Sequence, residues 1–212
     1  MISLLGTLSK YEGFKFQKSE RSKNMVDVAI VGAGPAGGSA AIFTAKAGQD
    51  TLVLHNNQSV TRRAWLENHY GAKDVSGPDL IETGKQQAEK LGAKFVEAEV
   101  ENITKTADGF QIETNNGNYE AKQVIIATGM YTTLAEKIGL KTKPGTEPRI
   151  KTILDVDTQG KTNIDGIWGA GTIAGVSMHT IITAGDGAKV AINLLSELKG
   201  ERHVDHDVLQ SK

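Results

Sequence analysis

Three glycines with the spacing Gly-x-Gly-x-x-Gly are the residues of this chain with the clearest chemical use. Gly32, Gly34 and Gly37 follow the apolar run 26–31 and precede an alanine-rich segment. In a strand–turn–helix unit the first glycine permits the tight turn, the second lets backbone approach a pyrophosphate, and the third lets the helix pack on the strand. The helix amides and the positive end of the helix dipole then face the phosphates. The spacing therefore predicts a dinucleotide site at this turn.

Polar residues at the end of the second predicted strand, 51–54, would meet the ribose of such a ligand. An acidic residue is expected about 20 residues beyond the glycines to bind a ribose hydroxyl, but His55 and Asn56 stand there instead. Asn56 or Asn57 can still bond a hydroxyl, without the charge of a carboxylate. Arg62 and Arg63 lie just downstream and would suit a 2′-phosphate, so a nicotinamide cofactor remains an alternative on these residues.

The elements that position these residues predict an α/β fold. Near-continuous apolar runs are typical of parallel strands covered on both faces, whereas the alternating segment 110–114 and the turn 115–118 indicate an antiparallel hairpin. Strands are predicted at 26–31, 51–54, 94–100, 110–114, from Tyr119 to 127, and at 166–170. A second helix begins at Pro78, and a long C-terminal helix ends at Gly200. The pattern predicts a Rossmann-like domain with a central parallel sheet, a β-meander insert and a long C-terminal helix.

The composition excludes several classes of function. The 212 residues carry a net charge of −1, so no nucleic-acid partner is expected, and the longest apolar runs are too short to predict a membrane span. Cysteine is absent, which excludes disulfides, Cys-ligated metals and a catalytic thiol within these residues. No metal site is predicted, because His203 and His206 are expected in a solvated turn of an exposed tail.

The chain is expected to comprise one domain with two short flanking segments. Residues 1–24 carry five basic and two acidic residues, and this positive balance sets them apart from the rest of the chain. We interpret them as an N-terminal extension that is disordered or not native, with Met25 as the candidate start. The single domain is expected at 25–200 and a tail at 201–212. Since no targeting signal is recognised, a cytoplasmic location is expected.

Four segments and one loop together resemble the flavin-binding half of the low-molecular-weight thioredoxin reductases, within the pyridine nucleotide-disulfide oxidoreductase superfamily. The segments are 31–37, 126–129, 166–171 and the helix 181–188, and the loop 67–71 is similar to the family's Glu-Asn-x-x-Gly. They occur in the family's order and cover most of the chain from Met25 onward. The resemblance implies an FAD-binding domain.

The chain also departs from that family. There, a nicotinamide domain with the Cys-x-x-Cys motif is inserted after the Ala-Thr-Gly segment. Here about 37 residues separate Gly129 from Gly166, too few for a second nucleotide-binding domain. The resemblance therefore implies a short, single-domain FAD-dependent oxidoreductase that does not work through its own thiols. Alternatives are a non-enzymatic flavin-binding module or subunit and, ranked last, an NAD(P)-binding reductase.

The resemblance also implies the partners. Electrons would come from an external donor, with NAD(P)H as a transient reductant, and would leave to an external acceptor. A flavin domain deprived of its partner domain exposes apolar surface, so a homodimer is expected.

The resemblance implies a set of cofactor contacts but no catalytic side chain. The expected FAD-binding residues are Gly32, Gly34, Pro35, Ala36, Gly37, His55, Asn56, Asn68, Val100, Thr128, Gly129, Gly171, Thr172, His179 and Thr180. Thr172 stands where the family has a carboxylate, so that contact is weakened or remade through a hydroxyl. His179 and Thr180 fall at the helix start that faces the flavin pyrimidine ring, where a helix dipole stabilises negative charge.

Overall fold

A computed structural model describes residues 25–209, so the predictions for residues 1–24 lie outside the described residues. The helices are α1 (Pro35–Lys46), α2 (Gly77–Lys90), α3 (Thr133–Lys137) and α4 (Thr180–Lys199). The strands are β1 (Met25–Val31), β2 (Thr51–His55), β3 (Trp65–Leu66), β4 (Val75–Ser76), β5 (Lys94–Glu97), β6 (Val100–Lys105), β7 (Phe110–Thr114), β8 (Gly117–Ile126), β9 (Thr142–Pro144), β10 (Thr152–Leu154) and β11 (Ile167–Gly169).

A seven-stranded sheet forms the centre of the molecule. Its order is β5-β2-β1-β8-β7-β6, and β11 pairs with the end of β8. The strands β5, β2, β1, β8 and β11 are parallel, whereas β6, β7 and the first half of β8 form an antiparallel meander. This arrangement confirms the predicted class: a central parallel sheet, a β-meander and the 20-residue helix α4 at the C-terminal end.

Alternate residues of the parallel strands pack against two different layers. Val28 and Ile30 face α1 and α4 and form one apolar cluster with them. Ala29 and Val31 face the opposite side, where the meander, α3 and β10 complete a second cluster. Because both faces are covered, the strands are apolar along their whole length, as the sequence indicates. Their carboxyl ends meet at one edge of the sheet.

The predicted third strand, 94–100, is two strands in the structure. β5 pairs in parallel with β2, whereas β6 pairs antiparallel with β7. Between them the buried Ala98 donates its amide to the His55 carbonyl at 2.9 Å. The chain then turns away, because one straight strand cannot pair with both partners.

The segment between Gly129 and Gly166, in which no helix or strand is predicted from the sequence, contains regular structure. It includes α3 and the antiparallel pair β9–β10, in which Thr142 lies opposite Leu154 and Pro144 opposite Thr152. A short hairpin, residues 145–151, joins the two strands and is closed by the Gly145 amide bonding to the Lys151 carbonyl at 2.9 Å. These elements are only three to five residues long, so their sequence carries almost no periodic signal.

The C-terminal tail folds back on the domain as far as Asp207. His203 is only 8% exposed and its Nδ1 lies 2.7 Å from Lys199 Nζ, so the prediction of a solvated turn at His203 is wrong. Lys46, at the end of α1, pairs with Asp205 and Asp207 at 2.9 and 2.6 Å. The tail is therefore held against the C-terminal ends of α1 and α4. Within residues 25–209, no helix is long and apolar enough to cross a membrane.

Candidate functional site

A cavity of about 1210 Å³ runs across the carboxyl ends of β1, β2 and β8. Of the fifteen residues predicted from the sequence, thirteen line it: Gly32, Gly34, Pro35, Ala36, His55, Asn56, Asn68, Val100, Thr128, Gly129, Thr172, His179 and Thr180. The fold thus brings to one site residues that are as much as 148 positions apart, from Gly32 to Thr180.

The other two predicted residues, Gly37 and Gly171, lie behind the cavity wall. A Cβ on Gly37 would overlap the carbonyl oxygen of Gly32, so this glycine lets α1 pack against the turn that precedes it. Gly171 has a φ of +80°, and its Cβ would lie 2.6 Å from the Ala36 Cβ. Both glycines hold the wall in place by close packing and do not themselves face the cavity.

The N-terminus of α1 is the first distinctive part of the wall. Gly32 has a φ of +111°, and its amide bonds to the Leu54 carbonyl at 2.8 Å, which sets the tight turn after β1. Gly34 is the N-cap residue, with no side-chain capping bond and no acidic residue in the first turn. The first amides of a helix have no partner within it. They are therefore left to bind an acceptor in the cavity.

The N-terminus of α4 is the second distinctive part of the cavity wall. Its N-cap residue, His179, makes no side-chain capping bond, and again no acidic residue occupies the first turn. By contrast, α2 is capped from within: the Ser76 hydroxyl accepts from the Asp79 amide at 3.2 Å. Of the three long helices, α1 and α4 are thus the two without a side-chain N-cap, and each presents a positive dipole end to the cavity.

Two histidines are held beside the start of α4. His69 Nδ1 lies 2.9 Å from the Thr180 hydroxyl, which ties the loop 67–71 to the helix. His179 Nδ1 lies 2.8 Å from the Ser177 hydroxyl. These bonds fix the orientation of the Thr180 and His179 side chains on the cavity wall. The loop 67–71, which the family resemblance implies is part of the cofactor site, is therefore packed against the N-terminus of α4.

At the opposite end of the cavity, His55 lies at the end of β2. Burial is the main cause that lowers the pKa of His55; Glu97 opposes the shift, and Lys85 and Arg62 reinforce it. His55 is therefore neutral at pH 7. The ring stands edge-on to Phe95, with 6.3 Å between centroids. Glu97 is its register partner on β5 and also lines the cavity.

The turn after β11 is fixed by a buried carboxylate. Asp186 of α4 is 7% exposed, accepts from the Gly171 amide at 2.8 Å and pairs with Lys189 at 2.6 Å. The next residue, Thr172, lines the cavity where the resemblance implies a carboxylate. A negative side chain is therefore present near this turn, but it accepts from the Gly171 amide and does not line the cavity.

Sequence reasoning missed several residues of the site. Glu97 follows an apolar run, a position typical of ligand-binding residues at strand ends. That it lies beside His55, however, could be recognised only from the register of β2 and β5. The exposed apolar side chains at the cavity are Val60, Trp65, Tyr131 and Met178. Trp65 is 63% exposed, and its Nε1 donates to Glu67 at 3.2 Å. Within residues 25–209 there is no group of three side chains able to hold a metal.

The parallel sheet, the glycine turn at a helix N-terminus and a cavity across the strand ends define a dinucleotide-binding α/β domain. A family model described as pyridine nucleotide-disulphide oxidoreductase matches residues 26–150 and 72–188. The chain belongs to this family.

Individual relatives agree with that assignment. A thioredoxin reductase of Aquifex aeolicus is 36% identical over 117 residues, which are 52% of this chain and 36% of the relative. A thioredoxin reductase of Listeria monocytogenes is 31% identical over 110 residues, 50% of this chain and 34% of the relative. The matches span only about a third of the length of these curated relatives.

Solved structures share the fold. The atypical thioredoxin reductase TRi from Desulfovibrio vulgaris Hildenborough superimposes with a TM-score of 0.72 at 20% identity, over 82% of this chain and 98% of the other. Thioredoxin reductase of T. acidophilum gives 0.69 at 20% identity, over 84% of this chain and all of the other. At this identity the likeness concerns the fold alone.

Proposed function

We propose that this chain binds FAD in the cavity and acts as a flavin-dependent oxidoreductase that uses no thiol of its own. The observation that carries the proposal is that α1 and α4 both begin at one cavity with side-chain-uncapped N-termini. A ligand that suits both ends must present a strong acceptor at each. A dinucleotide with a pyrophosphate at one position and a carbonyl-bearing ring at another meets this requirement.

The residues present fit FAD. Gly34 lines the cavity without a side chain, and a Cβ there would lie 3.2 Å from the Ser59 hydroxyl and would crowd this part of the wall. Backbone can therefore approach a pyrophosphate closely at this point. At the other end, Thr128 donates its hydroxyl to the Tyr131 carbonyl at 3.0 Å. This bond shapes the segment after β8 that would lie over the ligand.

When bound, FAD supplies the electron-transfer chemistry, which no side chain of this site provides. The chain's own residues bind and orient it. The α1 amides would hold the pyrophosphate, and the α4 N-terminus, with Thr180 held by His69, would face the ring system. A helix N-terminus stabilises nearby negative charge by about 0.3–2 kcal/mol, so the start of α4 would favour the reduced, more negative form of the ring.

The electron donor and acceptor would be external. The sequence holds no cysteine, so a dithiol within these residues cannot take part. The cavity mouth carries exposed apolar side chains and the exposed Arg62. These features suit transient binding of a reductant such as NAD(P)H, because its phosphates can pair with Arg62 and its planar rings can pack on the apolar side chains.

The proposal is tested by the visible absorption spectrum of the purified protein. A flavin band, with FAD identified in the supernatant after denaturation, is expected in protein as isolated or after incubation with FAD. Reduction of the bound flavin by NADPH or NADH and reoxidation by added acceptors would then establish turnover. A colourless protein that takes up no FAD would overturn the proposal.

Two further features belong to the same proposal. We expect a homodimer, which light scattering at several protein concentrations would detect as twice the chain mass. We also expect the protein in the cytoplasm, which fractionation of the source cells would test.

A further inference from the structure

The adenosine end of the cavity contains a carboxylate that the usual motif does not predict. The acid that normally binds the ribose diol stands at the end of the strand after the glycine helix, and here that position is His55. The register places Glu97, the last residue of β5, directly beside His55. Both residues line the cavity.

The two side chains occupy neighbouring positions on the same side of the sheet. Register partners in a parallel pair are about 4.8 Å apart and direct their side chains to the same face. Glu97 is exposed, whereas His55 is half-buried against the edge of Phe95. The backbone is fixed at this point because the Ala98 amide bonds to the His55 carbonyl and Asn116 donates to the Glu97 carbonyl, both at 2.9 Å.

We infer that Glu97 binds the hydroxyls of the adenosine ribose, with His55 beside it, and thereby replaces the missing acid of β2. This inference rests on the proposed function, since it concerns the ribose of the bound FAD. A carboxylate accepts hydrogen bonds from both hydroxyls of a vicinal diol and cannot donate any. The neutral imidazole of His55 adds one donor and one acceptor at the same place.

The same carboxylate decides which nucleotides the site accepts. A 2′-phosphate would lie against Glu97 and be repelled, whereas an unmodified ribose would be bound. Arg62 and Lys85 also line the cavity, but Lys85 lies over the Phe95 ring at 5.9 Å and pairs with Glu89 at 3.8 Å. Glu97 therefore favours adenosine diphosphate compounds with a free 2′-hydroxyl.

The direction in which a charge-removing mutation changes ADP affinity distinguishes this role from a general electrostatic effect. FAD and ADP are anions, so neutralising any carboxylate on the wall should strengthen their binding. Glu97→Gln is expected to do the opposite and weaken ADP about tenfold or more, because charge-assisted hydrogen bonds are lost. Glu99→Gln is the matched control: Glu99 is also exposed and lines the same wall, and its loss should leave ADP binding unchanged or stronger.

The experiment is a competition assay in which ADP or 2′,3′-dideoxy-ADP displaces FAD, followed by flavin fluorescence. For the unmodified protein, ADP should bind about tenfold or more tightly than the dideoxy compound. In Glu97→Gln this preference should collapse, with binding of the dideoxy compound unchanged or stronger, while circular dichroism shows an intact fold. Adenosine 2′,5′-bisphosphate should bind the unmodified protein more weakly than adenosine 5′-monophosphate does, because of its 2′-phosphate. Glu97→Gln should reduce this difference in affinity.

The outcomes separate the two proposals. If the unmodified protein binds FAD but does not discriminate ADP from the dideoxy compound, or if Glu97→Gln keeps the preference, the assignment of Glu97 is overturned and the flavin site stands. If neither FAD nor ADP binds the unmodified protein, the proposed function falls, and the assignment of Glu97 falls with it.

Discussion

The carboxylate of Asp186 accepts a hydrogen bond from the backbone amide of Gly171 at 2.8 Å, across fifteen positions of the chain. The bond joins the seventh residue of α4 to the turn after β11. Gly171 has a φ of +80°, so its peptide is oriented by a conformation that few other residues adopt. The cavity-lining position of Thr172 therefore depends on a side chain that does not itself reach the cavity.

Removing this carboxylate should destabilise the fold. In Asp186→Ala the buried Gly171 amide loses its partner, and we expect a loss of about 1–3 kcal/mol in the free energy of unfolding. Asp186→Asn keeps an acceptor oxygen and should lose less. The control is Lys189→Met, which breaks the ion pair but leaves the bond to the Gly171 amide in place, and it should cost less than Asp186→Ala. Urea denaturation at pH 7 measures all three, and equal losses for Ala and Asn would contradict the role assigned to this bond.

Two glycines of α4 should respond oppositely to the same substitution. A Cβ on Gly187 would overlap the Ala36 carbonyl, whereas a Cβ on Gly185 meets no atom within 4 Å. We expect Gly187→Ala to destabilise the protein by about 1–3 kcal/mol through forced separation of α1 and α4. Gly185→Ala should stabilise it by about 0.5–1 kcal/mol, because alanine restricts the unfolded chain. Thermal melts of the pair test the packing, and a stable Gly187→Ala would show that the two helices are further apart.

A negative charge placed at the start of α1 should weaken cofactor binding without lowering the stability of the fold. Gly34→Asp provides the N-cap that α1 lacks and should leave stability unchanged or raised by a few tenths of a kcal/mol. It should also weaken FAD about tenfold or more, since the carboxylate competes for the amides and repels the pyrophosphate. Gly34→Asn has a similar shape without the charge and should weaken FAD less. Equilibrium FAD titration gives the comparison; equal affinity of the Asp variant and the unmodified protein would place the phosphates elsewhere.

Stability should depend on pH through His55. Burial lowers the pKa of His55 below its ordinary value of 6.5, although Glu97 opposes the shift. The unfolded chain then takes up a proton at a higher pH than the folded chain does. The stabilising contribution is complete above about pH 6.5 and is lost as the pH falls from there through the lower folded-state pKa.

Comparing the pH dependence of stability in the unmodified protein and in His55→Asn isolates this effect from the titration of other groups. Between about pH 7.5 and about pH 5, the unmodified protein should lose more stability than His55→Asn, which cannot take up the proton. Urea midpoints across this range provide the measurement. Parallel pH profiles for the two proteins would show that the protonation of His55 is not linked to folding.

Much of the site could be predicted because its main signals are local. The spacing of Gly32, Gly34 and Gly37 directly encodes a turn between a buried strand and a helix, and this gives the position of the α1 N-terminus without knowledge of the remaining chain. The assignments of Thr128, His179 and Thr180 rest instead on the family resemblance. The fold brings these residues to the same cavity as the glycine turn.

The remaining features depend on contacts between distant segments. Glu97 becomes a neighbour of His55 only through the register of two parallel strands separated by a whole helix. The bond from Gly171 to Asp186 requires α4 to lie across the end of β11. For the same reason the sequence predicts His203 in solvent: nothing in the tail's own residues indicates that it packs against Lys199 and Ser196.

The pair β9–β10 has a consequence for the modular construction of the molecule. The chain leaves the main body along one strand and returns along its antiparallel partner, so the departure and return points are adjacent whatever joins them. Lengthening such a connection costs little, since the entropy of loop closure rises only slowly with length. A separately folded module grafted between Pro144 and Thr152 would therefore be connected through two paired strands, and its gain or removal would leave the main body of the fold intact.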